Sequence, residues 1–223
     1  MWGDLWQELG LTLRLAGITT AILVALGIPL AAWLNRRSGR FAVLLEAIVS
    51  LPIVLPPTVL GFYLLIFLAP SHFPGSIWRR WFGHPLSFSF EGIVFGSVLY
   101  SLPFAVQPFQ AALRGVPATV LEAASLEASP WQVFVFVRVP LAARGLLVGA
   151  TLAFAHTVGE FGVVLLVGGN IPGQTRVASI ALYDAVQNLD YGMAHRFALV
   201  LLTLSLALLI VTAWMQRNGR FIE

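Results

Sequence analysis

Apolar residues run along this chain in five long blocks, separated by short connections that are polar or rich in Pro and Gly. An α-helix needs about 20 consecutive apolar residues to cross the hydrocarbon core of a bilayer. The blocks therefore predict spans over Leu11–Leu34, Phe41–Ala69, Gly92–Leu113, Leu141–Val167 and Phe197–Trp214. The opening MWGDLWQELG places Asp4 and Glu8 where a cleavable signal would carry basic residues, and its two tryptophans suit an interfacial lead-in, so no signal peptide is expected.

Composition agrees with the pattern: 58% hydrophobic, 10% charged and a mean hydropathy of +0.86 lie outside the soluble range. The 223 residues are read as a single membrane domain over 1–223 with no room for a soluble catalytic domain. There is no cysteine, hence no disulfide framework, thiol nucleophile or cysteine metal site. All 13 basic residues are arginine. With no lysine and no G-x-x-x-x-G-K-[ST], the chain is not itself a P-loop ATPase, and neither a G-x-S-x-G elbow nor an H-E-x-x-H zinc motif is present. Any ATPase must be a separate chain.

Arginine placement sets an expected orientation. One side receives Arg36, Arg37, Arg40, Arg114, Arg138, Arg144, Arg217 and Arg220; the other receives Arg79, Arg80, Arg176 and Arg196. The richer side is expected in the cytoplasm, which puts the N-terminus outside and the C-terminus inside. Arg14 is near enough to the outer end of the first span to snorkel.

Proline interrupts two spans. SLPIVLPPTVLGFY carries Pro52, Pro56 and Pro57, and YSLPFAVQPFQ carries Pro103 and Pro108. Each removes a backbone donor, and in hydrocarbon the freed carbonyls need protein or water. The two spans either line a path that opens and closes or are kinked packing helices. In the fourth, AHTVGEFGVV sets His156 and Glu160 one turn apart, where they could pair as a proton relay; alternatively Glu160 ties the span to its neighbours, with Gly159 and Gly162 allowing close contact. Glu46 is read as interfacial. His72, His84 and His195 are scattered, so no metal site is expected.

VLEAASLEASPWQVFVFVRVPLA breaks the apolar pattern between spans three and four. Residues 117–140 read as two short cytoplasmic helices: Thr119 and Glu122 have capping-box spacing, Ser129–Pro130 makes a second start, and Pro140 closes it. Val120, Ala123, Ala124 and Ala128 offer a small, smooth face beside Glu122 and Glu127. Such a helix is too short and polar to span but can enter a groove on a soluble partner. An ordinary interfacial connection would need no such capping.

The same stretch resembles the coupling motif of bacterial ABC-importer permeases, Glu-Ala-Ala, three residues, Gly, nine residues, Ile-x-Leu-Pro. Anchored on Val139–Pro140, Leu121-Glu122-Ala123 stands at the Glu-Ala-Ala; anchored on Glu122-Ala123-Ala124, the right half is one residue short. Glu127 or Ala128 replaces the motif's glycine in these two registers. LPIVLPPTVLGFYLL and HTVGEFGVVLLVGGNIPGQTRVASIALYDAVQ are similar to the molybdate-type permease subunits of that family, with sulfate permeases the neighbouring alternative.

The resemblance implies an all-α type I importer permease fold of about five spans in the bacterial inner membrane, with a cytoplasmic coupling helix between spans three and four. It implies a homodimer with the path at its two-fold axis, two copies of a cytoplasmic ATPase, a periplasmic or extracellular oxyanion-binding protein, and no cofactor or nucleic acid. Leu121, Glu122, Ala123, Ala124, Glu127, Ala128, Ser129 and Pro130 would couple to the ATPase. Ser50, Thr58, Ser101, Gln107 and Thr151 are candidate donors along a path for a molybdate or tungstate dianion. Gly169, Asn170, Gly173 and Gln174 of GGNIPGQT are expected at the outer mouth or against the binding protein. A proton-coupled transporter using His156 and Glu160, or a membrane scaffold, are the competing classes.

Overall fold

The computed structural model describes residues 2–217, with the side chains of 2–4 excepted. Arg220 of the expected cytoplasmic set, and the side chain of Asp4, lie outside the described residues. All regular elements among the described residues are helices: α1 (Trp2–Asn35), α2 (Arg40–Val54), α3 (Pro57–Phe67), α4 (Gly75–Phe82), α5 (Phe90–Arg114), α6 (Ala118–Ser125), α7 (Pro130–Val133), a π-helical turn (Phe134–Arg138), α8 (Val139–Val158), α9 (Gly162–Gly168), α10 (Ala178–Gln187) and α11 (Tyr191–Arg217).

Four straight stretches are long and apolar enough to cross a membrane: Leu5–Asn35, Phe90–Arg114, Pro130–Val158 and Tyr191–Arg217. The expected second span differs. It is a pair of helices, α2 and α3, bent by 110° at the break. Leu55 and Pro56 adopt extended ψ values of 133°, as residues preceding a proline favour, and Pro56 and Pro57 together withdraw two backbone donors. Single prolines do less here. Pro52 stays inside α2, and Pro103 and Pro108 stay inside α5.

The expected fourth span also changes at both ends. Its helix begins at Pro130, and Pro140 falls in the first turn of α8 without closing anything. An α-helical proline ring presses on the carbonyl four residues back, here that of Phe136; the wider π-turn over Phe134–Arg138 sits at that place. The helix then stops at Val158, and Gly162–Gly168 is a separate short helix beyond a three-residue gap.

Two layers of packing hold these pieces. Near the middle, α1, α5 and α8 meet on Phe109 of α5, which is fully buried. A Cβ at Gly27 of α1 would stand 3.2 Å from the Phe109 ring, and one at Gly149 of α8 would stand 2.7 Å from it. The ring thus occupies the room that two glycines leave, which is how small residues let membrane helices approach. Toward one end, α3 packs on α9: Gly61 lies against Leu166 and Val163, and Gly162 against Pro57. Gly159, expected to serve the same purpose, meets only carbonyls of its own helix turn.

Arg36, Arg114 and Arg138 gather at the other end, where Asn35, Glu46 and Gln110 join α1, α2 and α5. Asn35 Nδ2 donates to the Gln110 carbonyl at 3.0 Å, and Glu46 Oε1 accepts from Gln110 Nε2 at 3.1 Å and from the Arg114 guanidinium at 3.2 Å. Glu46 therefore belongs to the polar cluster at this end. Arg138 donates twice to the Leu113 carbonyl and so satisfies the open C-terminus of α5.

The Phe109 clamp makes a direct prediction for thermal unfolding in detergent. Gly149→Val should cost about 1–3 kcal/mol by overpacking. Gly17→Ala in α1, where a Cβ meets nothing within 4 Å, should be neutral or gain up to about 1 kcal/mol. Equal behaviour of the two variants would remove the clamp.

Candidate functional site

The candidate coupling surface lies at the arginine-rich end. Pro117 precedes α6 and contributes no side-chain cap, so the helix starts at Ala118 and Thr119 falls inside its first turn. The expected Thr119–Glu122 capping box does not form. Proline at the cap fixes the backbone entry but carries no side-chain acceptor, so the first-turn N–H groups of α6 have no side-chain cap. The second start is built as expected and more completely: Ser129 Oγ accepts from the Gln132 N–H at 3.4 Å, while Gln132 Oε1 accepts from the Ser129 N–H at 2.9 Å. Pro130 is the first helical residue.

Of the eight coupling candidates, Leu121 packs against the main core and Ala124 and Ala128 are half-buried. Glu122, Ala123, Glu127, Ser129 and Pro130 are exposed. Two further residues belong to this surface: Leu126 is 87% exposed, and Trp131 is 69% exposed. Both are large apolar side chains next to exposed glutamates. Their apolar character beside Glu122 and Glu127 was the available signal, masked in a chain where apolar residues are the rule.

The five path candidates do not form one row. Gln107 Nε2 donates to Ser50 Oγ at 3.0 Å, joining α2 and α5 on an exposed face. Thr58 is exposed at the start of α3. Thr151 returns its hydroxyl to the Leu147 carbonyl at 2.9 Å. Ser101 is fully buried, 2.9 Å from both His156 Nδ1 and Thr157 Oγ1. Because Thr157 donates to the Ala153 carbonyl, the proton count has Ser101 donating to Thr157 and the His156 Nδ1–H donating to Ser101. In this conformation the Ser101 hydroxyl faces no open space.

His156 and Glu160 are not paired, which corrects the relay expectation. The His156 ring stacks on Phe104 at 3.8 Å and leans on Tyr100. Glu160 comes after α8 has ended, so one-turn spacing no longer applies. Its side chain is 3% exposed, and neither carboxyl oxygen has a hydrogen-bond partner. The Ser97 hydroxyl lies beside it outside hydrogen-bonding geometry, and Tyr100 is near. The Glu160 carbonyl does have a partner, the Ser179 hydroxyl of α10 at 2.6 Å.

At the far end, GGNIPGQT is a closed loop. Gly169, Asn170 and Gly173 take left-handed φ values of 69°, 57° and 71°, which glycine and asparagine tolerate best. A Cβ at Gly169 would also meet the Phe88 ring at 2.6 Å. Asn170 donates to both oxygens of Asp184, at 3.0 and 2.8 Å, and accepts from Arg176 Nε at 2.7 Å, while Arg176 and Asp184 pair at 3.4 Å. Thr175 donates to the Gly168 carbonyl and accepts from the Ile171 N–H. Asn170 is therefore held in structure, and Gly173 and Gln174 are the loop candidates that face outward. They border a cavity of about 500 Å³ with Arg14, His84, Ser89 and Glu91. Arg14 lies over the Phe90 ring at 4.5 Å. Asp184 of α10 is the residue of this cluster that sequence reasoning passed over, and Arg176 was read only for its charge.

Residues 23–220 match the family described as binding-protein-dependent transport system inner membrane component. The molybdenum transport system permease protein ModB of Azotobacter vinelandii is 50% identical over 190 residues, 84% of each chain. That of Escherichia coli K12 is 34% identical over 96% of this chain and 95% of its own length. The E. coli K12 sulfate transport system permease protein CysT is also 34% identical, over 86% of this chain and 70% of its own. Among solved structures, an inward-facing MetNI methionine ABC transporter chain aligns with a TM-score of 0.73 at 18% identity, covering 98% of this chain and 97% of that one. The likeness establishes the fold, a type I importer permease.

An unpaired buried Glu160 predicts the sign of its substitution. Glu160→Gln keeps the shape and removes an ionisable group that has no partner, so thermal stability in detergent should stay the same or rise. Glu160→Lys should lower it by several kcal/mol, since a buried charge without a partner is costly. A fall of about 1 kcal/mol or more in Glu160→Gln would point to an ion pair.

Proposed function

The chain belongs to the binding-protein-dependent transport system inner membrane component family, and from that premise we propose that it is the permease subunit of an ATP-driven importer for molybdate, and for tungstate as a close analogue. Family membership makes it a multi-pass inner-membrane transport component. The observation that carries the substrate is the 50% identity with a molybdenum permease.

The remainder of the proposal concerns assembly. Two copies pair around a two-fold axis, because one copy has too few spans to enclose a path. Two ATPase subunits dock on the arginine-rich, cytoplasmic end, and a binding protein delivers the oxyanion at the far end. Exposed Ala123 and Leu126 beside Glu122 and Glu127 are suited to a groove on the ATPase. Since Pro130–Val158 is one continuous stretch, displacement of α7 by the ATPase moves α8 as a rod. Neutral donors such as Ser50, Gln107 and Thr58 suit a dianion that must pass without being held, while the outward-facing Gly173 and Gln174 sit where a binding protein would land. A sulfate carrier is the second reading, favoured by the 34% identity with CysT.

Reconstitution with the cognate ATPase and binding protein tests the substrate. ATP-dependent uptake of molybdate with sulfate a poor competitor is expected; preference for sulfate would move the assignment to the second reading, and concentrative uptake by the isolated chain would overturn the importer. In the same system Ala123→Arg should reduce ATPase docking or coupling by about tenfold or more through overpacking, with the membrane fold intact. Wild-type coupling in that variant would mean the groove-facing surface lies elsewhere.

Orientation has its own test, helped by the absence of native cysteine. Single cysteines at Ser38 and Ser125 should react only with reagents that enter the cytoplasm, and those at Ser76 and Gln174 with impermeant reagents from outside. External labelling at position 125 would end the coupling proposal.

A further inference from the structure

We propose that the groove between the end of α1 and the α7–π-turn junction is a binding site for one anionic phospholipid, with the phosphate between Arg36 and Arg138 and an acyl chain running along Pro29, Ala32 and Trp131.

The groove has two connected chambers. One, of about 210 Å³, is bordered by Arg36, Ser125 and Arg138. The other, of about 350 Å³, is bordered by Pro29, Ala32, Trp131 and Phe134. Both share Arg36, Pro130 and Phe134, so a molecule with a polar head and an apolar tail can occupy the two together. No acidic residue borders either chamber.

Charge selects the head. Arg36 and Arg138 border the same chamber. Arg138 spends its Nε and one terminal nitrogen on the Leu113 carbonyl, which is neutral, and Arg36 has no acidic partner among the described residues. Two adjacent uncompensated cations favour an anion between them, and the Ser125 hydroxyl at the same rim supplies a neutral polar neighbour.

Depth selects a lipid over a soluble partner. From Arg36 to Pro29 the apolar chamber descends along α1 by about 10 Å, at 1.5 Å per residue, into the level of a membrane-crossing helix. An acyl chain reaches that level from the bilayer, whereas the face of a water-soluble ATPase does not. Trp33, about one turn before Arg36 and with Arg37 over its ring at 5.0 Å, adds an aromatic of the kind found at membrane interfaces. Basic pockets between helices at a cytoplasmic interface suit anionic headgroups.

The test uses the full chain purified in detergent, with lipid retention read by native mass spectrometry against phosphatidylglycerol and phosphatidylcholine of equal chain length. Wild type should retain one phosphatidylglycerol in preference to phosphatidylcholine. Arg36→Gln should lower that retention about fivefold, the effect of one arginine at an anionic surface. Arg36→Lys should keep most of it. Arg40→Gln, an arginine at the same end but outside the groove, should change nothing. Arg36 is exposed and bonds through no side-chain atom, so its variants fold. Equal retention of the two lipids, or unchanged retention in Arg36→Gln, overturns the site. Displacement of the lipid by millimolar inorganic phosphate identifies a free-anion site and overturns the lipid, as does complete displacement by the cognate ATPase, which would make the groove part of the docking surface.

Discussion

A backbone group released by a broken helix has no water to turn to inside a bilayer, and this chain breaks two of its helices. The α2–α3 break and the α8–α9 break are placed against each other, with Gly162 at the start of α9 on Pro57 at the start of α3. At the first break Pro56 and Pro57 withdraw two N–H groups, and the Val59 N–H bonds to the Pro56 carbonyl. At the second, the Glu160 N–H bonds to the Thr157 carbonyl and the Glu160 carbonyl is taken by Ser179. That last bond draws α10 into the structure, and the Thr12 hydroxyl of α1 then accepts from the N–H of Ala178 at the start of α10. The far end of the molecule is thus assembled from the needs of one interruption.

The two ends are built for different duties. At the arginine-rich end, Asn35, Glu46, Gln110, Arg114 and Arg138 tie four helices through side-chain bonds. At the other end the ties are a closed loop and short helices, in which Asn170, Arg176 and Asp184 hold one another. Between them Phe109 fixes the spacing of α1, α5 and α8. On the proposed reading, motion delivered at α7 would travel along the continuous Pro130–Val158 stretch past Phe109 toward the breaks, where φ and ψ can change with few bonds lost.

Much of this was legible along the chain. Five apolar blocks predict five crossings, and Ser129–Pro130 marks a true helix start because capping chemistry is local. What could not be read was whatever depended on a neighbour. Pro57 ends a span while Pro103 does not, although both read alike; the difference lies in the doubled proline and in Gly162 packing against it. His156 and Glu160 have the spacing of a pair, but the helix carrying them stops at Val158, so the spacing has no geometric meaning. Leu126 looks like one more leucine until its surroundings show it exposed.

On the proposed reading, Glu160 illustrates how the fold can keep a carboxyl near a path for anions without obstructing it. An exposed carboxylate there would repel a dianion, with little screening in a low-dielectric setting. Burial at the break removes it from open space, and its neighbours Ser97 and Tyr100 are neutral. Ser50 and Gln107, by contrast, offer neutral donors on an exposed face, with Ser50 little more than one turn from the first break. On the proposed reading, the permease presents weak dipoles to its cargo and hides its charge, so that selection among tetrahedral dianions falls to the partner that delivers them.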